Sequence, residues 1–282
     1  MKPSVLDPAD YILKNKNSWN QRTSFHLASE FYDMPGFLEG NTSLNTIELD
    51  LLGDVKGKSV LHLQCHFGQD SLSLARMGAR VTGVDLSDQA IDQAKKLNAE
   101  LRLDAEFICC DIYELPQHLN KKFDLIYTSY GAIVWLPDMA RWAKLIQSML
   151  KPTGRFVLVE FHPALWMFDP HFKDIQYSYF NAGAIRETES GTYADRSADV
   201  QIETVTWNHS LGEVLGSLLQ AGLSINSFEE FDYSPYNCIL ETIKIAPRKY
   251  RISHLGSKIP MVYALSCSNK QTECLQNNMD GV

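Results

Sequence analysis

The chain has 282 residues, of which 45% are apolar and 21% charged, and its formal net charge is −8. The length fits one large domain or one domain with an elaborated cap, in an ordinary globular composition. The acidic balance argues against nucleic acid as the main partner, no apolar run is long enough to span a bilayer, and MKPSVLDPADYILKNK at the start lacks the apolar core of a signal peptide.

Six cysteines, Cys65, Cys109, Cys110, Cys238, Cys267 and Cys274, include no CxxC pair. They are read as reduced thiols of a cytoplasmic protein. Cys65 reads as a small buried apolar residue in preference to a nucleophile, and Cys109 and Cys110 as parts of a buried strand.

Residues 1–56 precede the first sheet strand and are expected to form a helical cap, with helices near 8–16, 23–32 and 42–53. Gly57 and Lys58 turn into a first strand, SVLHLQ. A helix from about Asp70 to Met77 stops at Gly78. RVTGVD is the second strand, and Ser87 caps the helix after it, with Asp88 in the first turn. AEFICC, ending at Asp111, is the third strand, and FDLIYTS the fourth. Met139, Trp142, Ala143, Ile146 and Leu150 recur at helical spacing until Lys151-Pro152. GRFVLVEF, apolar throughout its centre, is the fifth strand.

Residues 164–206 break this alternation. Their β-prone pairs, Tyr177 to Phe180 and Val200 to Val205, predict a small antiparallel insert. Ser210 with Glu213 opens another helix, which Gly222 ends. LSINSFEEFD and, after a loop, IPMVYALSC are the last two strands, and 269–282 is a polar tail expected to be disordered. The main domain is thus 57–268. Two successive strands after five βα units require the last to enter antiparallel to its neighbour, where a dinucleotide dehydrogenase would continue βαβ.

The stretch from Val60 to Ser87 carries most of the functional signal. A buried strand, a tight turn holding Gly68, an amphipathic helix, a second buried strand and Asp85 make one βαβ unit of a nucleotide-binding sheet. The turn offers backbone groups to a ligand, and the acid can accept both hydroxyls of a ribose.

This arrangement resembles the class I S-adenosylmethionine-dependent methyltransferase family over roughly 42–163 and 207–267. The family's first motif, VLDLGCGxG, is matched by Val60-Leu61-His62-Leu63-Gln64-Cys65-His66-Phe67-Gly68. LKPTGRFVLVEF resembles its LKPGGxLxxxE run. LHLQCHFG with GQDSLSLAR, and WNHSLGEVLGSLLQAGL, are similar to a bacterial subgroup of that family. The resemblance implies a Rossmann-like α/β fold with a seven-stranded mixed sheet and an antiparallel last strand. It implies S-adenosyl-L-methionine as cofactor, with Gln64, Cys65, His66 and Gly68 around its methionine part. Asp85 would hold the ribose, and Leu86 would pack on the adenine. Asp111 and Ile112 would edge the adenine, and Ser129 and Tyr130 would lie beneath the methionine moiety. The chain departs from the motif where His62 replaces the usual acid and Gln64 and His66 replace two of three glycines.

The implied reaction is in-line methyl transfer to a nucleophile on a small molecule. It depends on alignment in a water-poor pocket more than on acid–base chemistry, and no metal-ligand spacing is seen. His162, in EFHP, is either a general base or a satisfied histidine beside Pro163, and His209 a helix-entry residue. Trp19, Tyr32, Trp135, Tyr177 and Tyr179, with Tyr130, are expected to line the acceptor pocket, with Phe31 and Trp207 at its mouth. Two other readings remain: an NAD-dependent oxidoreductase, whose ribose Asp85 would serve equally, and a non-catalytic binding protein on the same fold. Oligomeric state and acceptor are not legible.

Overall fold

The computed structural model describes residues 8–270. Cys274 and all of the expected tail beyond Lys270 lie outside the described residues, while Asn269 closes the last strand. The cap comprises α1 (Pro8–Ala28), α2 (Met34–Leu38) and α3 (Thr46–Leu52). The body then runs β1 (Ser59–Leu63), α4 (Gln69–Arg76), β2 (Arg80–Asp85), α5 (Asp88–Glu100), β3 (Glu106–Cys109), α6 (Leu115–His118), β4 (Phe123–Thr128), α7 (Met139–Met149) and β5 (Leu150–Phe161). An insert hairpin, β6 (Ile185–Ser190) and β7 (Gln201–Thr206), precedes α8 (Leu211–Gln220) and β8 (Leu223–Phe231). A second hairpin, β9 (Thr242–Ala246) and β10 (Lys249–Ile252), precedes β11 (Val262–Asn269).

The main sheet has seven strands in the order β3-β2-β1-β4-β5-β11-β8. The first five are parallel, and β11 lies antiparallel between β5 and β8. Alternate residues of each central strand feed opposite faces, as the strand period of two requires. Leu61, Leu63, Ile126, Phe156 and Leu158 meet Trp142 and Ile146 of α7 and Val214 and Leu218 of α8 on one face. Val60, Leu125, Val157 and Val159 meet Ile47 and Leu52 of α3 and Leu74 of α4 on the other. Trp142 is fully buried, edge-on to Phe156 at 5.4 Å. Its truncation to alanine would cost about 3–5 kcal/mol.

Several boundaries differ from the sequence reading. The helices expected at 8–16 and 23–32 are one helix, α1, ending at Ala28, with a 3₁₀ turn at Glu30–Tyr32. No glycine or proline interrupts it, and its asparagines serve tertiary contacts. Asn15 pairs with both backbone groups of Val205 in β7, at 2.8 and 2.9 Å. The helix expected from 42 begins at Thr46, because Asn45 stands outside it and Glu48 reaches back to accept the Asn45 N–H at 2.7 Å. Lys151-Pro152 ends α7 but lies inside a longer β5, at a shift in its register with β4. Cys110 is buried, but Cys109 is exposed, since β3 is the sheet's edge strand. Tyr177 to Phe180 form no strand; the insert's first strand begins at Ile185. The loop expected between the last two sheet strands contains β9 and β10. No described helix is long and apolar enough to cross a membrane.

Candidate active site

The carboxyl ends of β1, β2, β4 and β5 open into one cavity of about 1310 Å³, roofed by the cap and the insert. The loop after β1 forms its floor. Gly68 (φ 81°) must be glycine, since a Cβ there would meet the Phe107 ring at 2.8 Å. Gln64 (φ 55°) and His66 (φ 51°) are not glycine, yet both hold the left-handed backbone. That conformation costs an ordinary residue about 1 kcal/mol. Side-chain bonds offset the cost: Gln64 Nε2 donates to the Ala132 carbonyl at 2.7 Å, and His66 Nδ1 accepts the Phe67 N–H at 2.7 Å. With Nδ1 accepting, the His66 proton sits on Nε2, which faces His26 Nδ1 at 2.9 Å. Burial, reinforced by the Arg22 charge, pushes His26 down to about 3 and holds His66 well below the usual imidazole range. Both rings are neutral.

Asp85 ends β2 with its carboxylate at the cavity. Oδ2 accepts the His66 N–H and Oδ1 the Ser87 N–H, each at 2.8 Å. A carboxylate oxygen has two lone pairs, so each keeps one for a ligand. Burial raises the Asp85 pKa to about 6, against the pull of the Ser87, His66 and Leu86 amides. Leu86 and Ile112 give apolar walls beside it, and Asp111 accepts the Tyr113 N–H through Oδ1 at 2.9 Å. Cys65, Ser129 and Tyr130 also line the cavity. The Tyr130 hydroxyl donates to Glu48 of α3 at 2.8 Å. His62, buried at the edge of the cavity and kept neutral by burial, binds Ser71 at 2.8 Å and stacks on Tyr127.

The roof is aromatic. Trp19 of α1 meets His66 at 5.1 Å and Trp135 at 5.2 Å, both edge-on. Tyr32 joins its hydroxyl to that of Tyr193 in the insert. Arg22, almost fully buried, lies 5.5 Å from the Trp19 ring centre and donates to Glu189 of β6 at 2.8 Å. Tyr177 is in the wall and donates to Glu187 at 2.6 Å.

Three expected residues sit elsewhere. Tyr179 is outside the cavity wall; its hydroxyl accepts the Leu211 N–H at the start of α8. His162 points away from the cavity, accepting the Ala164 N–H at 3.1 Å and facing Glu230 at 2.9 Å, so it is a satisfied histidine. Trp207 is buried against Tyr11, while Phe31 does line the cavity. His209 is buried at the entry to α8, bound to the Leu136 carbonyl at 2.8 Å.

Sequence reasoning missed Arg22, His26, Tyr193 and Glu160. Glu160, buried in β5, accepts the amides of Gly131, Ala132, Ile133 and Phe161, which fixes the loop after β4. Its place as the final acid of the LKPTGRFVLVEF run was the available signal. The other three act through partners far away in sequence.

Residues 60–154 match a family described as a methyltransferase domain. Ubiquinone biosynthesis O-methyltransferases are relatives over the same region. That of Coxiella burnetii is 33% identical over 132 residues, covering 46% of this chain and 56% of the relative. That of Neisseria meningitidis serogroup C is 29% identical, covering 45% and 56%. The chain thus spans about half the length of the curated relatives it matches. In structure it is similar to an S-adenosylmethionine-dependent methyltransferase from Mesorhizobium loti, with a TM-score of 0.55, 21% identity and coverage of 82% of this chain and 99% of that one. A methyltransferase from Clostridium acetobutylicum gives a TM-score of 0.57 at 14% identity, covering 90% and 99%. A stretch similar to a methyltransferase domain thus lies within a fold shared with solved S-adenosylmethionine-dependent methyltransferases.

Proposed function

We propose that the protein transfers the methyl group of S-adenosylmethionine to a nucleophile on a small molecule. The observation that carries this reading is Asp85. Its carboxylate ends β2 at the cavity with one lone pair free on each oxygen, as two ribose hydroxyls require. Leu86 and Ile112 would hold the adenine faces and Asp111 its edge. Gln64, Cys65, His66 and Gly68, with Ser129 and Tyr130, would surround the methionine part.

Bound S-adenosylmethionine would supply an activated methyl group. The chain's residues would align the acceptor with it and exclude water. The described cap up to residue 56 and the insert 164–206 are the closing elements in this reading, because both line the cavity and bond to each other. Trp19, Tyr32, Trp135 and Tyr177 would form the acceptor wall. His26 and His66 are neutral with depressed pKa values, and burial raises Tyr32 and Tyr193, so this wall orients more than it accepts protons. The named relatives are O-methyltransferases, which makes a hydroxyl acceptor the first to test. A cytoplasmic setting without a nucleic-acid partner belongs to the same reading, supported by five described cysteines that are all unpaired and by the acidic charge.

The alternatives have less support. An all-parallel dinucleotide fold would continue its strands in order, whereas here β11 runs antiparallel between β5 and β8. The motive for a non-catalytic reading was the loss of two glycines, yet Gln64 and His66 keep the positive φ that glycine would supply. Incubation of the purified protein with S-adenosylmethionine and a panel of hydroxylated metabolites is the test. The expected result is acceptor-dependent release of S-adenosylhomocysteine. Stoichiometric co-purification with a dinucleotide, or no affinity for either adenosyl compound, would overturn the reading.

A further inference from the structure

We propose that Asp70 and Arg248 form a clamp for an α-amino acid zwitterion, Asp70 receiving the ammonium and Arg248 the carboxylate. The clamp rests on the cofactor reading above, since S-adenosylmethionine carries that group. Both residues line the cavity, but they come from distant elements: Asp70 from the first turn of α4 and Arg248 from the tight turn between β9 and β10. The Arg248 backbone is left-handed (φ 51°), and its Nη1 donates to the Leu44 carbonyl at 2.9 Å, which aims the guanidinium and leaves donors free.

Neither charge is matched by an ion pair inside the protein, although the Ser43 and Ser129 hydroxyls lie close enough to Asp70 to hydrogen-bond its carboxylate. The ion pairs of the described residues include neither Asp70 nor Arg248. Arg248 is close enough for its charge to draw down the Asp70 pKa, but burial outweighs it and the carboxyl is held above the usual range. An unpaired carboxylate in such a place is costly, and a cationic ligand group would offset the cost. Two other charges near the cavity are engaged. Glu48 already accepts from Asn45 and Tyr130, and Arg22 already holds Glu189.

The first strand itself offers no charge here. His62 stands where the resembled motif carries an acid, and it is buried and neutral. Asp70, one residue before the His62 partner Ser71, brings a carboxylate to the same side of the site. The carboxylate at this side comes from the helix that follows the strand, where the helix dipole also favours it. The partner cation comes from the hairpin that the sequence reading took for a plain loop.

Calorimetry with two ligands tests the clamp. S-adenosylhomocysteine carries the zwitterion, while 5′-methylthioadenosine keeps the adenosine and sulfur without it. Asp70→Asn and Arg248→Gln should each weaken S-adenosylhomocysteine by about tenfold or more and leave methylthioadenosine within about twofold. Arg248→Lys should recover part of the loss. Equal weakening of both ligands would assign the two residues a merely structural role and overturn the clamp. So would unchanged affinity for S-adenosylhomocysteine in folded variants. Should Asp70→Asn not fold, wild-type protein suffices: S-adenosylhomocysteine lacking its amino group should bind about tenfold more weakly than the parent, and equal binding would overturn the clamp. Wild type binding neither adenosyl compound would instead fail the cofactor reading, and the clamp with it, before any variant is compared.

Discussion

The floor and the roof of the cavity are built in different ways. The floor, residues 64–68 with Asp85, is held mostly by bonds to backbone groups of the sheet's own loops: Asp85 accepts the His66 and Ser87 N–H groups, and Gln64 donates to the Ala132 carbonyl. The roof is held by side chains that join residues far apart: Asn15 to Val205, Arg22 to Glu189 and Tyr32 to Tyr193, at separations of 190, 167 and 161. A floor tied to the backbone of the sheet's own loops is rigid and can serve many chemistries. A roof made of side-chain pairs between two added segments can be re-cut without disturbing the sheet. In the proposed reading this difference would separate cofactor binding from acceptor choice, and each side can be broken on its own.

The largest effect is expected from Glu160→Ala. Four amide donors around the loop after β4 would lose their acceptor, and the protein should lose about 3–5 kcal/mol of stability in chemical denaturation. A loss below about 1 kcal/mol would mean that the loop is fixed by other contacts. Next comes Asp85→Ala, which should weaken S-adenosylhomocysteine by about 2–3 kcal/mol in calorimetry, because charge-assisted bonds to two hydroxyls are lost.

Arg22→Ala probes the roof. It removes the buried tie to Glu189, so hydrogen exchange should speed up in α1 and in β6 together. Once an acceptor is known, its KM should rise by about tenfold while cofactor affinity stays within about twofold. A loss of cofactor affinity as large as that of acceptor affinity would show that floor and roof are one unit. The smallest effect belongs to the exposed pair of Arg186 with Asp10 at 3.4 Å. Asp10→Ala should change stability by less than about 0.5 kcal/mol, although it too links cap to insert.

The same division explains what the sequence disclosed. Gly68, Asp85 and the five parallel strands were legible because strand period, turn chemistry and spacing are local properties. The long α1 was split in reading because Asn15, Asn17 and Asn20 weaken helix propensity, while tertiary contacts overrode it. Trp19, Tyr32, Trp135 and Tyr177, expected at an acceptor pocket from their segments alone, do line the cavity. Tyr179 lies outside the cavity wall, because which way one side chain points depends on partners such as Leu211 that no local pattern names, and of the two readings of His162 the structure fits the satisfied histidine, which faces Glu230. Arg22, Tyr193 and Arg248 were missed for the same reason. The positive φ of Gln64 and His66 was hidden because neither residue type signals it.

The central claim is that Asp85, in its ionised form, holds the ribose of an adenosyl cofactor. Titration of S-adenosylhomocysteine into wild-type protein at pH 7.5 and pH 5.0 tests it most directly. The free side chain has a pKa of 3.8, and burial lifts that of Asp85 to about 6. The carboxylate that accepts the hydroxyls is therefore fully present well above pH 6 and lost as the pH falls through that value. Binding at pH 7.5 that weakens by about tenfold at pH 5.0, with little such weakening in Asp85→Asn, is the predicted result. Affinity that is the same at both pH values, or a wild-type protein that binds NAD in preference to S-adenosylhomocysteine, would contradict it.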